Sequence, residues 1–348
     1  MIYKEKILES IVSNLFDDGI VKDGDILIVA LSGGMDSMCL IDALCRLQSE
    51  IEYKLMAIHV HHGIRGKEAD RDAFFVREYC KFKGIELIEE KVDAINISKS
   101  KNLTLEEAAR TLRYETFERY WKKISLKNPK SEVYILVAHH EKDQAETVIH
   151  NILRGTGLKG VAGMKVKNGS ILRPLLYTKK SDIEKYIDTY DITYVEDTTN
   201  VDTKYTRNYI RKEILDRFEY VNANAITHIT ELSKQANEIN DYIESESKKA
   251  YKKVLVKESD KSIVLDLTKF KLKDRVIRIG IIKEVFNHLV STLKDITKIN
   301  IDDIIELTDK IQGGHLDLPY NLTVDKKQKE LIFNKNKNNI SMSRRKKK

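Results

Sequence analysis

Several features that define other classes of protein are missing from this chain of 348 residues. No stretch approaches the roughly 18 consecutive apolar residues of a membrane-spanning helix, so no contact with a membrane is predicted. The N-terminal residues 1–6 (Met-Ile-Tyr-Lys-Glu-Lys) include an acid and precede no cleavage site, which indicates an amphipathic helix and not a signal peptide. The three cysteines, Cys39, Cys45 and Cys80, form no Cys-x-x-Cys pair. Reduced thiols in a cytoplasmic protein are the simplest interpretation.

A general excess of charge is also missing from most of the chain. The formal net charge is +7, from 61 bases and 54 acids, but residues 335–348 hold seven of these bases and none of the acids. The rest of the chain is therefore formally neutral, and any RNA-binding surface on it requires local clustering of charge. The basic tail is predicted to be disordered, and both simple solvation and contact with nucleic acid remain open for it.

The most informative feature is a glycine loop that follows a short apolar run. Residues 26–31 (Ile-Leu-Ile-Val-Ala-Leu) are too few for a globular helix and β-branched enough for a central strand. Gly33 and Gly34 allow unusual backbone conformations and a close approach to a ligand. Asp36 and Ser37 then begin a helix, whose free N–H groups favour an anion. No lysine follows the glycines, which excludes the loop that grips terminal phosphates for their transfer. The pattern predicts a phosphate cradle of another kind.

Strands and helices alternate along the N-terminal part of the chain, which predicts an α/β fold with a doubly wound, mostly parallel sheet. We expect strands at residues 25–30, 54–59, 86–92 and 133–138. Thr104 and Glu107 form a predicted capping box, and Ser181 is expected to be the N-cap of a later helix.

The alternation of strand and helix patterns gives way to a polar, helical stretch near Arg217, and four segments are predicted. They are a catalytic domain (1–217), a helical linker (218–252), a small α+β domain (253–334) and the basic tail (335–348). In the small domain we expect helices near 275–290 and 301–310, and strands near 263–267, 315–318, 322–324 and 330–333.

Three polar motifs follow the carboxyl ends of predicted strands, where open α/β sheets bind their ligands. They are Ser32–Ser37, His59–Arg65 and Ala138–Thr147. In the last motif, Asp143 and Glu146 are three residues apart in a first helical turn, so their carboxylates share one face. Such a pair could hold Mg²⁺ or an amine substrate, whereas simple compensation of the helix dipole is the alternative.

Cationic side chains are spaced for helix faces at two further places. Arg110 and Arg113 lie three apart, and they either form surface salt bridges or neutralise charge on a phosphate. Arg207 and Arg211 are four apart and would share a face suited to phosphate or RNA. A second glycine loop, Arg154–Gly160, offers backbone amides to a ligand.

The Ser-Gly-Gly-x-Asp-Ser signature at Ser32–Ser37 resembles that of the PP-loop ATP pyrophosphatases, which cleave ATP between its α- and β-phosphates. The order of the further motifs is similar to that of the bacterial tRNA(Ile)-lysidine synthase family. The resemblance is dense from about residue 20 to 215 and weaker over the C-terminal module, at Gly314–Pro319. Longer members carry a second C-terminal domain that this sequence lacks, which leaves a short form and a truncated chain both open.

This resemblance implies a cytoplasmic, commonly dimeric ligase that forms a carbon–nitrogen bond. Its cofactors would be ATP and Mg²⁺, and its substrates free L-lysine and the tRNA(Ile) with a CAU anticodon. In that family, ATP adenylates the wobble cytidine and lysine then displaces AMP, which changes codon reading from AUG to AUA. The implied nucleotide-binding residues are Ala30, Ser32, Gly33, Gly34, Met35, Asp36, Ser37, His59, Arg65 and Arg207. The implied catalytic residues are Asp36, Arg110, Arg113, Asp143 and Glu146, with Asp36 and Asp143 as Mg²⁺ ligands.

Two alternatives to this interpretation remain. One is another PP-loop tRNA-modifying enzyme of the thiolase type, although the paired cysteines usual in such enzymes are missing. An amidotransferase-type ligase would need an N-terminal nucleophile, and the chain begins with Met-Ile-Tyr. The other is a non-catalytic, nucleotide-gated RNA-binding protein, which the intact Ser32, Asp36, Asp143 and Glu146 disfavour.

Overall fold

The computed structural model describes residues 5–17, 19–64, 66–196, 206–290 and 295–336. The chain divides into two compact units, residues 1–237 and 238–348. The boundary falls within one long helix, Ala225–Val254, and the predicted domain bounds stay a prediction. Within the described ranges, no helix combines the length and the apolar character needed to cross a membrane.

The first unit alternates strands with helices. Its strands are β1 (Ile26–Ala30), β2 (Lys54–His61), β3 (Glu86–Lys91), β4 (Val133–Leu136), β5 (Lys167–Asn168) and β6 (Ile171–Leu172). Its helices are α1 (Lys6–Val12), α2 (Met35–Leu47), α3 (Lys67–Lys83), α4 (Ala94–Lys101), α5 (Leu105–Lys127), α6 (Glu141–Leu153), α7 (Leu158–Val161), α8 (Lys180–Thr189), α9 (Thr206–Tyr209), α10 (Asp216–Val221) and the first part of α11 (Ala225–Val254). Two π-helical segments follow α1 and α9, at Ser13–Asp17 and Ile210–Leu215.

The six strands form one sheet in the order β3-β2-β1-β4-β6-β5, parallel except for β5. The predicted fold class is therefore confirmed. The strand order changes direction beside β1, and such a switch point opens a crevice at the carboxyl ends of the strands. Because β1 pairs with both β2 and β4, the predicted meeting of three motifs at one edge of the sheet is also confirmed.

Strand β1 is buried on both faces, which explains its unbroken apolar sequence. Leu27 and Val29 pack into one core with α1, α2 and α8, whereas Ile26 and Ile28 pack into a second core with Phe117 of α5. Successive side chains of a strand point to opposite faces, so one short run supplies both cores. The glycine loop that follows β1 is thus fixed to the centre of the unit.

A buried carboxylate joins α2 to α3 and α8. Asp42 is 3% exposed, and it accepts hydrogen bonds from Arg46 Nε (2.7 Å), Lys83 Nζ (3.1 Å) and Tyr186 Oη (3.0 Å). The three donors satisfy the charge that burial would otherwise make costly. Helices α2 and α8 are therefore held together behind the glycine loop.

Of the two helix caps predicted from the sequence, one is present in the structure and the other is not. The capping box of Thr104 and Glu107 is confirmed. The expected N-cap at Ser181 is wrong, because α8 begins at Lys180 and the carbonyl of Lys179 accepts from the N–H groups of Asp182 (3.1 Å) and Ile183 (3.3 Å). Ser181 therefore lies inside the first turn, where its hydroxyl makes no N-cap.

The second unit contains a separate antiparallel sheet in the order β7-β8-β11-β10-β9. Its strands are β7 (Leu255–Ser259), β8 (Ser262–Asp266), β9 (Gly314–Leu318), β10 (Leu322–Lys326) and β11 (Glu330–Lys335). Its helices are α12 (Leu267–Lys271), α13 (Arg275–Leu289) and α14 (Lys298–Asp309). Phe270, Phe286 and Phe333 are fully buried in its core. The two longer helices and four of the strands lie where the sequence predicts them, whereas β7 was not predicted.

Candidate active site

The glycine loop is shaped by hydrogen bonds between its own residues. The Oγ atoms of Ser32 and Ser37 are 3.0 Å apart, and Ser37 Oγ donates to the carbonyl of Gly34 (2.9 Å). The N–H of Gly34 donates to Ser32 Oγ (3.3 Å). Gly33 has φ of +89°, in the left-handed region that favours glycine. The first N–H groups of α2 then lie beyond the loop without acceptors in the helix, where they favour an anion.

His59 supports this loop from behind. The side chain is buried, and its Nδ1–H donates to the carbonyl of Leu31 at 2.8 Å. Burial lowers the pKa of His59, so the ring is neutral and its Nε2 carries no proton. Ala30, another predicted nucleotide contact, ends β1 and is half-buried. The predicted contact Arg65 lies outside the described residues.

Asp36 forms an ion pair that the sequence did not predict. Lys180 Nζ, at the start of α8, lies 2.5 Å from Asp36 Oδ1 and 3.4 Å from Met35 Sδ. The other carboxylate oxygen of Asp36 is 3.8 Å from His140 Nε2. A cation therefore stands beside the loop although no lysine occurs within the loop motif.

The start of α6 brings a second carboxylate to the same histidine. Asp143 Oδ2 accepts from the N–H of His140 (3.0 Å), and His140 Nδ1 accepts from the N–H of Lys142 (3.2 Å). In the neutral ring the proton is consequently on Nε2, which lies 3.6 Å from Asp143 Oδ2. Asp36 and Asp143, from two different helices, thus face one ring nitrogen.

Arg211 lies against the predicted carboxylate pair. Its guanidinium forms an ion pair with Asp143, and its Nε donates to Glu146 Oε2 at 3.1 Å. Arg207 Nε is 3.7 Å from the other oxygen of Glu146. The structure therefore brings Asp143 and Glu146 together, and it places Arg207 beside Glu146.

The two carboxylates have opposite pKa shifts. Burial favours a higher pKa for Asp143, but its interactions with His140, His139 and Arg211 hold the pKa below its usual value. For Glu146, burial outweighs the attraction of Arg211, and the pKa is raised. The site therefore contains one firmly ionised carboxylate and one that is more easily protonated.

The predicted arginines of α5, Arg110 and Arg113, act on this region through their electrostatic effect on His139. Arg173, which is buried, donates from Nε to His139 Nδ1 at 3.2 Å. Burial lowers the pKa of His139 to about 4, and the charges of Arg173, Arg110 and Arg113 act in the same direction. One guanidinium group thus contacts a neutral histidine and two more act on it electrostatically, next to the ionised Asp143.

The donor set is compatible with Mg²⁺. Among the residues that the structure describes, no group of three or more His, Cys, Asp or Glu side chains is arranged as a complete metal site. Magnesium, however, is usually held by one or two carboxylates together with substrate phosphates and water. Asp36 and Asp143, which face one ring nitrogen from two sides beside a phosphate cradle, supply such a partial set.

Known proteins resemble the chain in both sequence and fold. A family model described as the PP-loop domain matches residues 4–218. The tRNA(Ile)-lysidine synthase of Clostridioides difficile is 32% identical over 94% of this chain and 70% of its own length. That of Caldanaerobacter subterraneus is 30% identical over 95% of this chain and 70% of its own length.

A solved structure supports the fold. The U34-tRNA thiolase NcsA of Methanococcus maripaludis, solved with its iron–sulfur cluster, gives a TM-score of 0.54 at 18% identity. The match covers 67% of this chain and 79% of that one. At this level of identity the resemblance concerns the fold alone.

The switch-point crevice, the serine–glycine loop and the matched domain together define a PP-loop protein, and the chain belongs to that family. The identity to curated relatives extends well beyond the PP-loop domain into the second unit. Within the PP-loop proteins, the chain belongs to the tRNA(Ile)-lysidine synthase family.

Sequence reasoning missed Lys180 and the role of Arg173. Both follow β6, whose two residues leave no recognisable strand pattern in the sequence. A detectable signal was the segment Arg173–Leu176, which leads from this strand toward α8. Because β6 pairs with β4, the chain after β6 returns to the edge where the other motifs meet.

Proposed function

We propose that this chain catalyses the ATP-dependent ligation of free L-lysine to C2 of the wobble cytidine in a tRNA(Ile) with a CAU anticodon. The observation that carries the proposal is that Asp36 of the Ser32–Ser37 loop and Asp143, which shares Arg211 with Glu146, both face His140 Nε2. The chain that holds them belongs to the tRNA(Ile)-lysidine synthase family. A phosphate cradle and a site for an ammonium group are the two parts that such a reaction needs. A cytoplasmic location and a homodimer are part of the proposal.

The reaction proceeds in two displacements. The cytosine O2 attacks the α-phosphorus of ATP, and the bond to the β-phosphate breaks so that pyrophosphate leaves. The ε-ammonium of lysine first loses a proton to solvent, and the neutral amine then attacks C2. A second proton passes from the nitrogen to solvent, and AMP leaves with the former O2. Adenylation is required because oxygen alone is a poor leaving group from C2.

The loop holds the leaving pyrophosphate. The N–H groups at the start of α2 donate to its oxygens, and Ser32 and Ser37 keep the loop closed around them. Lys180 lies on the same side and offsets the charge that develops. Mg²⁺, when held by Asp36 and Asp143, supplies further neutralisation of phosphate charge. Arg110 and Arg113 neutralise the α-phosphate.

The carboxylate pair and Arg211 bind lysine. Asp143 and Glu146 accept hydrogen bonds from an ammonium group, and Arg211, already in contact with both, pairs with the carboxylate of the amino acid. The low pKa of Asp143 keeps one negative charge in place across the neutral pH range. Selection of lysine thus rests on charges of both signs within one small site.

The three cysteines disfavour a thiolase. Burial raises the pKa of Cys45 and of Cys80 to about 11 and also raises that of Cys39. A thiol with a raised pKa is a poor nucleophile at neutral pH. The cysteines lie on α2 and α3 with their side chains in or against the core, so none presents a reactive thiolate to the loop.

The decisive experiment follows labelled lysine. Purified protein is incubated with radiolabelled lysine, ATP and a tRNA(Ile) transcript with a CAU anticodon, and the label in the RNA is measured. We expect incorporation that requires ATP and releases AMP, and we expect Asp36→Ala to abolish both. Near-normal AMP release by Asp36→Ala, or no incorporation by the unaltered protein, would contradict the proposal.

A further inference from the structure

One long segment of the first unit contains no acid at all. Residues 147–181 lie between Glu146 and Asp182, whereas the chain elsewhere, apart from the basic tail, has seven more acids than bases. The acid-free segment contains Arg154, Lys159, Lys165, Lys167, Arg173, Lys179 and Lys180. This is a local clustering of positive charge on a body that is otherwise formally acidic.

Four of these bases fall into two groups, whereas Lys167 lies elsewhere, against the ring of Tyr134. Arg173 and Lys180 belong to the site already described, where they contact His139 and Asp36. Arg154 and Lys159, in contrast, are exposed on the loop after α6 and on α7. Among the residues that the structure describes, no carboxylate lies within salt-bridge distance of Arg154 or Lys159. Their charges are thus available to an outside partner.

A row of side chains along α6 connects these bases with the active site. Asp143, Glu146, His150 and Arg154 recur at helical spacing, so they follow one face from the start of α6 to its end. Arg207 contacts Glu146, and the positive charges of both Arg207 and Arg154 act on His150. At a rise of about 1.5 Å per residue, Arg154 lies about 12 Å along the helix from Glu146. The face changes from acidic at the reacting end to basic at the far end.

We propose that Arg154, at the basic end of this α6 face, and Lys159, on α7 packed beside it, bind backbone phosphates of the RNA substrate next to the modified base. The inference rests on the proposed function and names the surface that holds the RNA while its cytidine occupies the crevice. Phosphate contacts fix the register and orientation of a nucleic acid without reading its sequence. Arg154 and Lys159 are therefore positioning residues, outside the reacting groups.

The charge of the surface favours RNA over a protein partner. Leu153 is 63% exposed and Leu158 is 41% exposed beside the two bases, and such side chains alone could contact either partner. The two bases, however, have no salt-bridge partner among the described residues and belong to a segment without acids, and such unpaired positive charge complements a phosphate backbone.

The test compares two pairs of alanine substitutions in the full chain. Arg154→Ala with Lys159→Ala removes the proposed contacts. Lys127→Ala with Lys130→Ala removes the same charge from an exposed segment before β4, at the opposite edge of the sheet. Binding of a fluorescein-labelled tRNA(Ile) transcript is measured by anisotropy from low to moderate salt, and ATP binding is measured separately to confirm the fold.

For the first pair we expect RNA affinity to fall on the order of tenfold at low salt. The slope of log affinity against log salt concentration should become less steep by about 1.5, since each lost phosphate contact removes about 0.7–0.9 from that slope. Lysine transfer should show a higher KM for RNA with an unchanged kcat. The control pair should leave the affinity within about twofold. Equal affinity and slope for the two pairs would overturn the proposal.

Two further outcomes can be distinguished from these, namely an interface between protein copies and a failure of the proposed function alone. If Leu153→Ser with Leu158→Ser abolishes self-association without changing RNA affinity, the surface is an interface between protein copies and the proposal is wrong. If the unaltered protein transfers no lysine but the first pair still loses RNA affinity, the proposed function fails while the RNA-binding surface stands.

Discussion

Lys180 Nζ lies 2.5 Å from Asp36 Oδ1, although 144 residues separate the two in sequence. The pair places a positive charge beside the phosphate cradle and balances the carboxylate of Asp36. In the proposed reaction, the leaving pyrophosphate gives Lys180 a second anionic partner. We therefore expect Lys180 to share its hydrogen bonds between Asp36 and the phosphates when the loop is occupied.

We expect Lys180→Met to raise the KM for ATP tenfold to a hundredfold, about what the loss of one charge-assisted hydrogen bond produces. Lys185→Met, on the exposed side of the same helix, is the matched control and should behave like the unaltered protein. Steady-state AMP release at varied ATP concentration checks both variants. An unchanged KM for Lys180→Met would show that Lys180 serves only to pair with Asp36.

Arg211→Met should weaken the binding of lysine more than the binding of ATP. The charge of Arg211 lowers the pKa values of both Asp143 and Glu146, so its removal raises both and leaves two carboxylates closer to protonation. We expect the KM for lysine to rise about tenfold or more, since a charge-assisted hydrogen bond is lost. The pH at which lysine binding becomes half-maximal should move upward.

The control for Arg211 is Arg217→Met, whose side chain is 81% exposed and only loosely paired with Glu213. Isothermal titration with lysine at several pH values distinguishes the variants. A lysine affinity that is unaffected by Arg211→Met, with a normal fold, would contradict the proposed amine site.

Two glycine substitutions should separate folding from ligand binding. Gly33→Ala forces a side chain into a backbone with φ of +89°, at a cost of about 1–2 kcal/mol, and should lower Tm by about 2–8 °C. Gly34 has φ of −75°, which any residue can adopt, and the Cβ added by Gly34→Ala would meet nothing closer than Ser32 Oγ at 3.5 Å. This variant should keep its Tm but lose ATP affinity, because the methyl group stands in the phosphate cradle. Thermal melts with and without ATP measure both effects.

Asp42→Asn should destabilise the first unit in a pH-dependent way. Burial favours a higher pKa for Asp42, but Arg46 and Lys83 lower it below its usual value of 3.8. The stabilisation is therefore fully present above pH 3.8 and is lost as the pH falls through the lower folded-state value. At pH 7 we expect a loss of about 2 kcal/mol. Denaturant unfolding at pH 7 and near pH 3 checks the sign: the difference from the unaltered protein should shrink in acid.

Much of the fold followed from local sequence patterns because its central strands are unbroken apolar runs. Strand β1 supplies both cores, so its sequence could not be mistaken for a surface segment. The capping box at Thr104 was equally local, since donor and acceptor are three residues apart. Ser181 misled because a serine near a helix start is common inside the first turn as well as at the cap.

The partners within the site were less accessible to sequence reasoning. The meeting of Asp36 with Lys180 depends on the placement of β6, which is only two residues long. The contact of Arg211 with Asp143 and Glu146 depends on a π-helical segment whose register differs from the assumed α-helix. Residue types and strand ends predicted where the site would lie, but the pairing of charges required the tertiary structure.

The distance in sequence between α2 and α8 has a consequence for synthesis of the protein. Asp36 with Lys180, and Asp42 with Tyr186, each span 144 residues, so neither contact exists until the ribosome has released α8. A nascent chain that ends with α6 already contains β1 to β4 and the glycine loop. In that intermediate the buried carboxylate of Asp42 still lacks its tyrosine and the loop still lacks its cation. The loop and the buried carboxylate therefore gain these two partners late in translation, when α8 docks.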